Sequence, residues 1–440
     1  MRGCLFITLL FLISCKQETV VNTVADFEYE VADNNYSIPV NIKFSNKSTA
    51  AQSFQWTFEG ATPSKSDERN PGAVTYQTAG TYVVRLEAWN EDSRSQKEIS
   101  IQIDSVVVVD FSLANLVNDF APAQFSFTNL SKGCNSFSWT FEGGTPGTSA
   151  EKTPSPVTFT EGEHTITLSA GNGRKNLSVT KSITVRPPLQ AAFVIEPNLE
   201  DNDYEAPVVA TLVNHTISGL SWKWTTTGGA ISNDTTRSPK IHFATPGTYT
   251  VTLTANNDKD IKVVTQDIVV KTNRNLRTFA DVKLGINTAH KTVGCYFSSR
   301  LQRVLTADDD LSESGKYIDI VFFGLNATFW KNQFISPDSV HLFTFLPIPS
   351  AQACKLVNLQ ELSGYNFTVA DFDGMVNDTP LQSLTINATR DGVKPFGDAV
   401  PRIVLIRTDD GRKGAIKVKQ MVADGLNSYI ICDIKIQKEP

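Results

Sequence analysis

The sequence predicts an all-β chain: three tandem copies of one β-sandwich, followed by a distinct C-terminal β-sandwich or jelly-roll-like domain. Three observations predict it. Two sequence blocks recur three times, 82 to 85 residues apart. Both blocks alternate apolar with polar side chains at period two, as a strand does when one face meets a core and the other meets water. The 440 residues also exceed what one core usually supports, and domains of about 100 to 150 residues imply three to four of them.

Composition narrows the function classes. With 26 Gly, 20 Pro and many Thr, Ser and Val, the chain favours turns and strands, and 40% hydrophobic residues suffice for folded cores. The net charge of −6 comes with no long basic run. That leaves no electrostatic footprint for nucleic acid or anionic lipid.

The N-terminus reads as an export signal. Arg2 supplies a positive flank, and Leu5 to Ile13 form an apolar stretch too short to span a bilayer. Leu12-Ile13-Ser14-Cys15 resembles the lipobox of bacterial lipoproteins. The resemblance implies cleavage of residues 1–14, lipidation of Cys15, a tether over 15–25 and an outer-membrane anchor at the cell surface, where several acyl chains hold stably. Of the remaining cysteines, Cys134, Cys295, Cys354 and Cys432, none forms a C-x-x-C pair. They read mostly as core residues, and a disulfide among the last three stays open.

The repeats follow. Phe54-Gln-Trp56-Thr-Phe58-Glu-Gly60 aligns with Phe137-Ser-Trp139-Thr-Phe141-Glu-Gly143 and Trp222-Lys-Trp224-Thr-Thr226-Thr-Gly228. A second block starts at Gly80, Gly162 and Gly247, running in the first copy through Tyr82, Val84, Leu86 and Ala88 to Asn90. The inward positions of this block line a core, the Trp of the first block fills the space between two sheets, and the Gly marks a turn. Pro71, Pro154 and Pro239 punctuate the connection. The expected domains are 26–104, 108–186 and 190–271, with short joints, of which Arg186-Pro187-Pro188 favours an extended one.

W-x-F-x-G, a Pro-containing connection and G-x-Y-x-V-x-L-x-A-x-N together resemble the PKD domain, an immunoglobulin-like sandwich. The resemblance covers about 26–271, with Glu59, Glu142 and Thr226 departing from the family pattern. It implies presentation of another domain rather than chemistry. Three such units in line would span on the order of 100 Å, given strands of about ten residues plus turns.

In 272–440 the repeat is gone. Strands are expected at Tyr317 to Phe323, Val340 to Phe345, Ser383 to Ala388, Pro401 to Arg407, Gly414 to Val422 and Ser428 to Ile436, the last two closing as a hairpin. Asp308 to Ser312 reads as the cap of a short helix. The whole layout is similar to surface glycan-binding lipoproteins that accompany outer-membrane glycan importers in Bacteroidetes.

No H-E-x-x-H, G-x-S-x-G or phosphate-loop motif occurs, so no catalytic residues are assigned and none of the five histidines suggests a metal. Carboxylates at Asp371 and Asp373, with Asn377 and Asp378, read as a turn or a calcium site. No other cofactor is expected. A sugar-binding surface needs flat aromatic faces and a few fixed polar groups. Trp330, the only Trp after residue 271, sits in a polar segment with Phe329 and Asn332; Tyr296 and Tyr365 are further candidates. The expected function is polysaccharide or oligosaccharide binding by the last domain. The alternative is an adhesin or structural protein that binds a protein through aromatic anchors.

Overall fold

The computed structural model describes residues 20–390 and 392–440. The expected signal segment and Cys15 lie outside the described residues. Contacts divide the chain into two compact units: the chain up to Gln190 with Ile217–Leu220 and Asn256–Lys262, and Ala191–Thr216 with Ser221–Ala255 and Val263–Pro440.

The first unit holds two sandwiches of matching topology. In the first, one sheet runs Phe27–Val31, Val40–Asn46, Val74–Tyr76, Ala61–Thr62, and the other Lys65–Ser66, Ser53–Phe58, Gly80–Trp89, Arg94–Ile103. The second repeats both orders, with Ser136–Phe141, Gly162–Gly171 and Asn176–Val185 in its second sheet. Alternation is the cause. Trp56, Val84, Leu86 and Ala88 are fully buried between the sheets while Gln55, Arg85 and Glu87 face outward. The Trp ring closes the core, and its indole N–H donates to the Glu68 carbonyl at 3.0 Å. Trp139 donates to Glu151 and Trp224 to Thr236 at the same distance.

Gly60 has φ +72°, and a Cβ there would fall 2.2 Å from the Tyr82 ring. This close approach lets the Tyr82 hydroxyl donate to the Thr78 carbonyl at 3.1 Å. In the second copy His164 replaces the tyrosine as a buried side chain, packing over Gly143 with Nε2 2.9 Å from the Thr160 carbonyl. The corner survives the substitution because the ring fills the same space and meets the same carbonyl.

The second unit contains the C-terminal domain and most of the third sandwich, whose core gathers Trp224, Val251, Leu253, Phe243 and Leu212. The C-terminal domain is also a sandwich, with covered outer faces. A five-stranded antiparallel sheet runs Leu276–Gly285, Tyr429–Gln437, Lys413–Val422, Arg402–Thr408, Cys354–Val357. A four-stranded one runs Arg303–Leu305, Tyr296–Ser298, Ile320–Phe323, Gln333–Ile335. Their facing residues, among them Val404, Ile406, Ile416, Phe297 and Phe322, form the central core. Ile403, Leu405 and Ala415 point the other way, under the helix Val369–Gly374, with Phe372 and Leu381. Val321 and Phe323 pack outward against Val340 and Phe345. Ile320–Phe323 is therefore buried at every position.

Several expected elements differ. Val340 to Phe345 is no strand: Pro337–Leu342 is a 3-10 helix whose Val340 plugs the outer face of the smaller sheet. Ser383 to Ala388 is coil, held by burial of Ile386. Asp308 to Ser312 caps no helix; Asp309 instead accepts from Thr306 N (2.7 Å) and Oγ1 (2.8 Å) in a turn. The four described cysteines are free thiols. Cys295 and Cys432 are buried, and burial raises both thiol pKa values.

Candidate ligand-binding surface of the C-terminal domain

The strand Leu276–Gly285 pairs antiparallel with Tyr429–Gln437, Leu276 opposite Gln437 and Gly285 opposite Tyr429. The Leu276 end lies beside the third sandwich, where Arg277 donates to the Glu200 carbonyl. The loops 286–295, 324–332 and 423–428 consequently gather at the far end. Asn287 N donates to the Gly324 carbonyl at 2.9 Å, and the Thr288 hydroxyl to the Leu426 carbonyl at 2.7 Å.

Trp330 sits in this cluster and is 55% exposed. Its display has a local cause. The Asn326 side chain accepts from Thr328 N at 3.1 Å and Oγ1 at 2.6 Å, and Phe329 N closes the turn on the Asn326 carbonyl at 3.1 Å. Phe329 then takes φ +56° and drives its ring into the central core. The next side chain is turned to solvent. Lys331 Nζ lies 4.4 Å from the Trp330 ring centroid, a cation–π contact on one face. Leu426, in the adjoining loop, is 73% exposed.

Other expected contact residues are corrected. Phe329 is 5% exposed and serves as the anchor beneath the platform. Tyr296 is 2% exposed, packed edge-on to Phe345 at 5.9 Å, and burial raises its phenol pKa. Asn332 is fully buried; its carbonyl accepts from Phe396 N at 2.8 Å and its amide reaches the Gly397 carbonyl at 3.2 Å. It positions the loop and cannot touch a ligand. Tyr365 is half-buried and lines a cleft with Arg402 and Glu361, which pair at 2.9 Å. Its hydroxyl is already committed to the Thr385 carbonyl at 2.8 Å.

The oxygen set proposed for calcium does not fit the ion. Asp371 lies in a helix and forms a capping box, accepting from Thr368 N and Oγ1 at 2.8 and 2.7 Å, and those hydrogen bonds lower its pKa. Asp373 pairs with Lys417. Asn377 caps Thr379 N at 3.1 Å. Asp378 is buried and accepts from Asn275, Gln382 and Gln437 at 2.8 to 2.9 Å. Each side chain is engaged with a partner of its own, and no cluster of three His, Cys, Asp or Glu suited to a metal forms among the described residues.

The sequence reading missed a buried polar group at the end nearest the third sandwich. Arg412, 4% exposed, donates to Ser299 Oγ, Asp319 Oδ1 and Asp410 Oδ2 at 2.8 to 2.9 Å. Thr408-Asp-Asp-Gly-Arg412, a charged turn between two apolar strands, was its only sequence signal.

Comparison with known proteins bears on the modules. Residues 24–103 and 201–270 match the family model of the PKD domain, which covers most of the first and third sandwiches. No curated protein matches the chain. Among solved structures, the chain is similar to a DUF4466 family protein of Parabacteroides merdae (11% identity, 76% of this chain and 99% of that one, TM-score 0.27). It is similar to invasin, a bacterial integrin-binding protein (13%, 92% and 78%, 0.26). It is also similar to the titin domains I67–I69 (11%, 57% and 96%, 0.29). Likenesses at this level say nothing of ligand or partner. With the twofold match and the shared sheet order, the three repeated sandwiches are tandem PKD-type, immunoglobulin-like domains.

Proposed function

We propose that this is a surface lipoprotein, anchored to the outer membrane through Cys15, whose PKD-type domains act as a spacer and whose C-terminal domain binds polysaccharide without catalysis. The observation that carries the reading is Trp330, exposed at the end of the C-terminal domain away from the third sandwich and set on a loop that a buried neighbour immobilises. An indole fixed in advance offers a pyranose ring a large contact area with little ordering cost on binding. Absence of chemistry is supported at Asp371 and Asp373, where one carboxylate caps a helix and the other pairs with a lysine. An outer-membrane importer would be the partner that receives the glycan.

The test is affinity electrophoresis of the mature chain carrying Cys15→Ser, with and without Trp330→Ala, through gels containing plant, algal and host polysaccharides. Retardation by one class, weakened in the variant at unchanged melting temperature, is expected. No retardation by any polymer would overturn the reading in favour of a protein-binding adhesin, for which the exposed Leu426 beside Trp330 would be the natural anchor.

A further inference from the structure

A second feature of the same unit lies at the opposite end of the C-terminal domain. Three clefts there share Arg300 as a wall, and they extend from Gln352 and Tyr317 on the C-terminal domain to Glu200 on the third sandwich. They form one groove. Its floor is fixed: Arg412 is buried and held on three sides by Ser299, Asp319 and Asp410. Its rim still has free hydrogen-bonding capacity. Arg300 donates to Asp410 at 3.1 Å through one nitrogen and is otherwise open, while the Asp409 carboxylate and the Tyr317 hydroxyl make no hydrogen bond among the described residues.

We propose that this groove is a second oligosaccharide site, for a run of neutral sugar residues; the proposal rests on the polysaccharide reading above and adds a site to it. The charge balance selects the ligand class. Arg300, Lys316 and Arg412 face Asp319, Asp409 and Asp410, and the second cleft sets Glu200, Asp201, Glu205 and Glu439 against Arg277 and Lys438. No net positive field remains to draw an anion. Forked, planar groups such as guanidinium, carboxylate and amide instead match the paired donor and acceptor hydroxyls of a sugar. The Tyr317 ring, half-buried, supplies the one aromatic surface. A peptide would need apolar anchor pockets, and these walls are lined mainly by polar and charged residues, with Ile318, Ala353 and Cys354 the apolar exceptions in the first cleft.

Titration calorimetry of the mature Cys15→Ser chain with linear hexasaccharides of glucose, xylose and mannose tests this. Asp409→Asn is the first variant, since Asp409 is exposed and unpaired and its loss cannot unfold the domain; Arg300→Ala is the second. With Trp330→Ala already in place, binding of one hexasaccharide should persist, and either groove substitution should then weaken it about tenfold or more. If Trp330→Ala alone removes all binding, the groove is overturned and the polysaccharide reading stands. Binding abolished by the groove variants but untouched by Trp330→Ala would keep the groove and remove the platform. Silence of the unsubstituted chain toward every hexasaccharide overturns the groove, while the polysaccharide reading stands or falls by gel retardation.

Discussion

Phe329 and Trp330 are neighbours of similar chemistry with opposite fates, one sealed in the core and the other more than half exposed. Strand periodicity would have told them apart, but they lie in a turn, where no period operates, and the decisive quantity is the positive φ at Phe329. Trp330 was therefore legible as a candidate and Phe329 misread as its partner. Phe329→Ala should cost about 3–5 kcal/mol, since it leaves a cavity in the central core. It should also weaken polysaccharide binding without touching the ligand, which chemical denaturation and affinity electrophoresis read separately. Asp378 gives a pH prediction. Burial alone would raise its pKa, but the amides of Gln437, Gln382 and Asn275 outweigh this and hold it below the usual carboxylate value. A carboxyl depressed on folding contributes stability that is complete above its unfolded pKa of about 3.9 and lost as pH falls through its folded one. Thermal midpoints of the unsubstituted protein should fall on acidification below about pH 4, and Asp378→Asn should start lower and show a shallower slope there.

At the scale of elements, period two was enough to read the strand blocks Phe54 to Gly60 and Gly80 to Asn90, which pair as neighbours in one sheet and turn Trp56, Val84, Leu86 and Ala88 toward the same core, because each strand there has one wet face. It misled at Val340 to Phe345 and Ser383 to Ala388. Both segments put apolar residues into a core, Val340, Phe343 and Phe345 on one side and Leu384 and Ile386 on the other, yet they are coverings laid across a sheet and pair with no strand. Apolar alternation records contact with a core, not hydrogen bonding along a ladder. Conversely, the helix Val369–Gly374 could have been found from Thr368 and Asp371, which have the spacing of a capping box. The repeated Trp is the element on which each PKD-type sandwich turns. Trp139→Ala removes a fully buried ring and orphans the Glu151 carbonyl. It should cost about 3–5 kcal/mol. Only the second sandwich should melt early, visible in calorimetry as a new low-temperature transition while the remaining domains keep theirs.

At the scale of the whole chain, the second unit shows how a PKD-type module is joined to an unlike domain. Glu205, nearly buried at the edge of the third sandwich, accepts from Lys438 Nζ at 2.8 Å and from Arg274 N at 3.0 Å, while Lys438 also pairs with Asp203. Asn202 adds a bond to Gln302 at 2.8 Å. Nothing in the sequence advertised this joint, because its hydrogen-bonded partners lie 69 to 233 positions apart and carry no local pattern. These contacts are mostly screened from water, so each charge depends on its partner more than an exposed pair would. The third sandwich and the C-terminal domain should accordingly unfold as one cooperative block. Glu205→Ala leaves Lys438, 13% exposed, with Asp203 alone and frees the Arg274 amide. The expected cost is about 1–3 kcal/mol, and a single calorimetric transition should split into two, the third sandwich separating from the C-terminal domain. A transition that stays single in Glu205→Ala would place the coupling in the Asn202–Gln302 and Arg277–Glu200 contacts, and Gln302→Ala would then be the substitution that splits it.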